Sequence, residues 1–214
     1  MLYTRVFKDT SFRSSTWSPP PLKEVLGNLA RNRGSFAKLW LVVVLRSLTY
    51  FSLFSFLPII FTQQGLSTLQ TGIMTSIFLF GGALGGIVGG WLSDRLHERF
   101  VIAGSLAMAF PTLQLALMLP GVWGTIFLLV GGFFLLSSAP VTIALGQRYT
   151  PGSAATASSL MLGLGWGTGG LLVTLVGMLA DYVGPVEALR IEGLCLVVAV
   201  LLALGLTPVA KPRT

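Results

Sequence analysis

From Leu39 onward the chain alternates long apolar stretches with short polar breaks. A helix needs about 20 apolar residues to cross the hydrocarbon of a bilayer. Six stretches meet that length: 39–61, 71–93, 100–119, 123–146, 155–180 and 189–208. The breaks between them collect the charged, Pro and Gln residues. The pattern predicts an all-α membrane protein with six transmembrane helices. The break at 120–122 is only Pro-Gly-Val, which makes the third and fourth helices neighbours. Residues 1–38 form a separate segment. In it Leu22, Val25, Leu26 and Leu29 recur at helical spacing behind Pro21, a residue suited to a helix start. Two readings of 22–30 stay open: a short amphipathic helix on the membrane surface, or a tail with a turn or two of helix. No long apolar run follows Met1, so no signal peptide is read. Residues 209–214 are a polar tail.

The first three stretches can be laid on the last three. Ser55-Phe56-Leu57-Pro58 matches Ser137-Ser138-Ala139-Pro140, at an offset of 82. Gly90-Trp91-Leu92-Ser93-Asp94 matches Gly177-Met178-Leu179-Ala180-Asp181, at an offset of 87. Gly104 and Gly193 are 89 apart, and Pro120 and Pro208 are 88 apart. An odd number of helices per unit forces the two units into opposite orientations. The prediction is therefore two inverted three-helix repeats, the logic of secondary transporters.

Composition sharpens this picture. Of 214 residues 53% are hydrophobic and 10% charged, where a soluble domain has roughly a quarter charged. Mean hydropathy is +0.82, which excludes a disordered chain and argues against a soluble globule. Lys and Arg outnumber Asp and Glu 14 to 7. In so apolar a chain this excess belongs to loop charge and not to nucleic-acid binding. Near the helix ends, Arg31, Arg33, Lys38, Arg95, Arg99, Arg148, Lys211 and Arg213 fall on one side and Arg190 alone on the other. The positive-inside rule then puts both termini in the cytoplasm of a multi-pass plasma-membrane protein, a bacterial inner-membrane one. A single cysteine, Cys195, and a single histidine, His97, exclude a disulfide framework and leave no metal site to propose. No cofactor is expected.

Glycine marks close helix contacts. The second helix holds Gly82, Gly86 and Gly90 on one stripe, with Gly81, Gly85 and Gly89 beside it. The fifth holds Gly163, Gly165, Gly167, Gly169, Gly170 and Gly177. Gly82, Gly86, Gly167 and Gly170 are the expected packing positions.

The run Gly90-Trp91-Leu92-Ser93-Asp94-Arg95, followed by Leu96-His97-Glu98-Arg99, resembles the cytoplasmic loop motif of the major facilitator superfamily. The chain from about 36 to 208 resembles the C-terminal six-helix half of such a transporter. Within the superfamily, Leu45-Arg46-Ser47, Tyr50-Phe51-Ser52-Leu53, Ser55-Phe56-Leu57-Pro58 and Gly165-Trp166-Gly167-Thr168-Gly169-Gly170 resemble the fosmidomycin-resistance group. The resemblance implies half of a twelve-helix fold. It also implies drug or anionic-compound efflux by proton antiport, with residues 1–35 standing as the central loop. It assigns Gly90, Asp94, Arg95 and Arg99 to a loop that clasps a neighbouring helix end. Here the motif departs at His97 and Glu98, and Glu98 lowers the local positive charge.

A charge inside hydrocarbon is costly and therefore informative. Arg46 follows Leu39 by seven residues, roughly 10 Å of helix. In the family the first helix of each unit lines the central cavity. The resemblance thus implies a substrate cavity of Arg46, Ser47, Tyr50 and Phe54, with Trp166 from the fifth helix. Arg46 has a second reading, snorkelling to the cytoplasmic surface beside Lys38. For Trp166 and Met161, cavity lining and packing both stand. Pro111 and Gln114 read as a kink and a satisfied polar group. Arg190 and Glu192 read as solvent-reachable residues at the outer interface, and no carboxylate is expected at the midplane. If proton antiport holds, the coupling carboxylate is expected in another half.

Three function classes compete. The first is half of a transporter for a small molecule, partnered by the bilayer and by a second six-helix half. That half is a separate chain, a missing N-terminal half, or a second copy. The second is an independent six-helix substrate-binding subunit of another transporter. The third, a membrane enzyme, needs a nucleophile and base inside the bilayer. His97 sits in a loop, so no catalytic residue is named.

Overall fold

The computed structural model describes residues 33–150 and 154–207. The amphipathic segment expected at 22–30 and the tail at 209–214 lie outside the described residues. Among the described residues there is no strand. The helices are α1 (Arg33–Gln63), α2 (Thr68–Arg95), α3 (Glu98–Met118), α4 (Gly121–Tyr149), α5 (Ala154–Ser159), α6 (Trp166–Val183), α7 (Pro185–Glu192) and α8 (Leu194–Leu204). A π-helical turn, Leu160–Gly165, joins α5 to α6. Five segments are long and apolar enough to cross a membrane: α1 to α4, and Ala154–Val183 as one unit. The sixth crossing is built from α7 and α8. Gly193 between them keeps helical dihedrals (φ −54°, ψ −23°), so the helical path continues through the joint.

The helices run past the apolar stretches because polar groups at their ends find partners. α1 is already helical at Arg33, six residues before Leu39, and its first described turns are tied to the end of the sixth crossing. Ser35 Oγ lies 2.7 Å from Thr207 Oγ1, and Lys38 Nζ donates to the Gly205 carbonyl at 3.2 Å. Tyr149, at the end of α4, donates its hydroxyl to the Thr207 carbonyl. α2 opens with a capping box. The Gln70 amide donates to Ser67 Oγ, and the Ser67 amide to Gln70 Oε1.

The packing has the two-fold logic of an inverted repeat. α4 packs on α2 and α3; α1 packs on α6 and on the α7–α8 crossing; α3 meets α8. Each unit's first helix therefore lies against the second and third helices of the other unit. The closest contacts repeat too. A Cβ built on Gly81 would sit 2.1 Å from the Leu129 carbonyl oxygen of α4. One built on Gly169 would sit 2.7 Å from Ser47 Cβ and 2.9 Å from the Val44 carbonyl oxygen of α1. Gly169 follows Gly81 by 88 residues and Leu129 follows Ser47 by 82, the same spacings that the sequence repeats show.

The two glycine stripes of α2 divide the contact with α4, one meeting its backbone and the other its side chains. Gly81, Gly85 and Gly89 meet α4 backbone; a Cβ at Gly85 or Gly89 would lie 1.9 Å from the Phe133 or Ser137 carbonyl oxygen. Gly82 faces the Leu136 side chain, Gly170 touches Phe51 at 3.7 Å, and Gly86 and Gly167 have open space. Adjacent stripes both satisfy four-residue spacing, so spacing alone does not choose between them.

Candidate functional site

Arg46, Tyr50 and Phe54 succeed one another at four-residue intervals along the middle of α1, hence on one face. Arg46 is 1% exposed, so it does not snorkel to the surface. Its guanidinium carbon stands 5.7 Å from the centre of the Trp166 ring. Its Nε and Nη1 are buried without a hydrogen-bond partner. Tyr50 stacks with Phe54 (6.4 Å) and Phe78 of α2 (6.0 Å), and its ring is 5.9 Å from Trp166. Phe51 meets Trp166 edge-on at 5.7 Å. Phe54 is 46% exposed and forms the open edge of this group. The ring stack over Arg46 recovers part of its desolvation cost, about 2 kcal/mol for a desolvated cation–π contact. The unpartnered Nε and Nη1 nitrogens remain costly.

Four of the five expected cavity residues thus lie together: Arg46, Tyr50, Phe54 and Trp166. Ser47 does not join them. It packs against Gly169 in the seam between α1 and α6, and its Oγ is buried without a partner. Met161 is fully buried and packs toward Gly146 of α4. A π turn stands immediately before Trp166, where the sequence pattern reads one unbroken helix over 155–180. Within the turn Gly163 has open space, and Gly165 comes close to Val43 of α1.

At the loop motif, α2 ends on Arg95 and α3 begins at Glu98. Arg95 lies over the Trp91 ring at 4.2 Å, and Arg99 over the Phe100 ring at 4.6 Å. Asp94 is exposed, and Gly90 faces Pro140 of α4 at an ordinary 3.8 Å. Among the described residues, Glu98, the departure from the motif, reaches a neighbouring helix end. It is buried and ion-paired with Arg148 in the last turn of α4. A signal for this existed in the sequence: a lone acid opening one helix and a lone base closing another.

The sixth crossing holds a second departure. Arg190 turns outward to Glu187 (2.7 Å) and the Met118 sulfur (3.9 Å). Glu192 is 6% exposed and accepts a hydrogen bond from Thr49 Oγ1 at 2.7 Å, near the middle of α1. It is therefore neither solvent-reachable nor at the edge of the bundle. The apolar stretch begins at 189, later than the helix that carries it. Pro185 behind Gly184 (φ +86°) opens that helix a turn earlier, which places Glu192 seven residues, roughly 10 Å, inside. Gln114 is satisfied, donating Nε2–H to the Arg190 carbonyl at 2.9 Å.

The sequence profile of the Major Facilitator Superfamily matches residues 39–214. The chain belongs to the major facilitator superfamily. Superfamily relatives include an uncharacterized transporter, YfnC, of Bacillus subtilis, 39% identical over 113 residues, half of this chain and 26% of that protein. The fosmidomycin resistance protein of Escherichia coli is 28% identical over 168 residues, 76% of this chain and 41% of that one. A gallate transporter of Pseudomonas putida is 30% identical over 144 residues, 63% and 31% respectively. The fold matches the E. coli fucose:proton symporter FucP with a TM-score of 0.74 at 20% identity, over 87% of this chain and 46% of that one. The chain thus spans less than half the length of the relatives it matches. It is a multi-pass membrane protein whose fold is that of part of a facilitator-superfamily transporter, a family of transporters and not of enzymes.

Proposed function

We propose that this chain is one six-helix half of a facilitator-superfamily carrier that exports small amphiphilic or anionic molecules across the bacterial inner membrane. Access alternates by rocking of this bundle against a second six-helix half, supplied by an N-terminal half, a separate chain or a second copy. The observation that supports an anionic substrate is Arg46, buried at mid-helix with two unpartnered donors under Trp166. An anion that reaches it when Trp166 swings aside gains two parallel charge-assisted hydrogen bonds. Support for a second half comes from α2 and the Ala154–Val183 crossing. Only 28% and 22% of their apolar windows are buried, against 44–56% in α1, α3 and α4. Exchange against protons rests on likeness to the fosmidomycin-resistance group.

The test is transport by membrane vesicles holding the assembled carrier, with a phosphonate and an aromatic carboxylate as probes. Arg46→Lys keeps the charge but loses the planar fork. It is expected to lower transport about tenfold, worth 1.4 kcal/mol, at unchanged protein abundance. Undiminished transport of both probes would remove Arg46 from the substrate path. The proposed orientation has its own check. Cysteines placed at Gln64 and Pro120 are expected to react with an impermeant maleimide added outside intact cells. One placed at His97 is expected to react only after permeabilisation. The reverse pattern inverts the topology.

A further inference from the structure

The joint of the sixth crossing holds a carboxyl group that neither the anion site nor the loop motif uses. Glu192 ends α7. Its Oε1 accepts from Thr49, while Oε2 is buried with no partner. The side chain borders a cavity of about 10 Å³, walled by Leu53 of α1, Phe110 and Leu113 of α3, and Leu196 of α8. That volume is near the lower limit for a single water.

Among the described residues no cation faces this carboxyl. α1 presents the Thr49 hydroxyl. α3 presents the Gln114 amide, whose N–H is committed to the Arg190 carbonyl. On its own crossing, Arg190 turns out to Glu187, and the neutral Cys195 thiol stands three residues on. An ionised carboxylate held among apolar walls and one hydroxyl gives up its hydration with no opposite charge in return. The same group carrying a proton is neutral, keeps the Thr49 bond at Oε1, and turns Oε2 into a donor toward the cavity. A metal ion fits poorly. Calcium and magnesium ask for six or more oxygens, and one free carboxyl oxygen is available here. Among the described residues no group of three His, Cys, Asp or Glu side chains comes together.

We propose that Glu192 is a proton-binding site built into this half. The carboxyl holds its proton in the conformation described, exchanges it through one cavity water, and releases it when the α7–α8 joint at Gly193 admits bulk water. Thr49, its partner, stands three residues beyond Arg46 on α1, so a proton site and the anion-binding group sit on successive turns of one helix. The link between proton release and substrate movement rests on the function proposed above; the proton site itself does not.

The experiment is infrared difference spectroscopy of the whole chain, purified in mild detergent at neutral pH with no substrate. The native protein is expected to show the C=O stretch of a protonated carboxyl, shifted on exchange into heavy water. Glu192→Gln, which can still accept from Thr49, is expected to remove that band. Thr49→Val is expected to displace it, because the band frequency senses the lost hydrogen bond. Raising the pH is expected to abolish the band reversibly. A native spectrum without the band overturns the proposal, as does a band that survives Glu192→Gln. If the Gln variant is not recovered folded, a band unmoved in Thr49→Val overturns it equally. Since no transport enters the measurement, a missing band leaves the anion reading of Arg46 intact. Undiminished transport in Arg46→Lys likewise leaves this site intact.

Discussion

Gly85→Ala is expected to destabilise the purified protein by on the order of 3 kcal/mol, the upper end for overpacking a close contact. Gly86→Ala, one residue on, is expected to be neutral or to stabilise by about 0.5–1 kcal/mol through the better helix propensity of alanine. The contrast comes from one backbone distance. A Cβ at Gly85 lands 1.9 Å from the Phe133 carbonyl oxygen, where the obstacle is a helix backbone that has no rotamer to change. At Gly86 nothing lies within 4 Å. Because Gly81 and Gly89 meet α4 in the same way, the strain at Gly85 is not relieved by a local tilt. The helices must separate along their length. Thermal unfolding of the three proteins in the same detergent reads the difference. Equal losses at both positions would mean that helix flexibility, and not the approach of α2 to α4, is what the glycines provide.

Arg46→Met is expected to act in the opposite sense on stability. The guanidinium is fully buried, and two of its donors have no acceptor. Methionine has an unbranched stem that fills much of the same space and leaves no polar atom to desolvate. Replacing buried ionic groups with apolar ones of similar volume commonly stabilises by about 1–4 kcal/mol. The purified chain should therefore melt at a higher temperature, while the assembled carrier loses anion transport. Such an exchange of stability for activity marks a group retained for function. A lower melting temperature would show that the contact with Trp166 outweighs the desolvation of Arg46.

The long apolar stretches made the crossings legible, since burial in lipid demands a continuous helix and little else. The inverted repeat was legible through the spacing of breakers such as Pro58 and Pro140, and the packing reproduces those spacings. The aromatic group around Arg46 was legible because residues four apart on a helix share a face. Other features depend on partners far away in the chain. Which of two glycine stripes meets α4 backbone and which meets its side chains depends on helix rotation, and Gly81 and Gly82 are equivalent in any spacing argument. Ser47 shares α1 with Arg46 but faces Gly169, a difference of rotation that a list of helix residues does not contain. Glu192 was misplaced by one helical turn because the apolar stretch starts later than the helix. Glu98 reads as damage to a motif until Arg148, 50 residues on, is seen beside it.

The two seams between the inverted units are not interchangeable. Along one, α2 rests on α4 at carbonyl distance over two helical turns. Along the other, α1 meets backbone at Gly169, and the crossing it faces carries a π turn at Leu160–Gly165 where α2 of the opposite unit is unbroken α-helix. The symmetry of the two units thus stops at the turn before Trp166, and that is where the bundle covers Arg46.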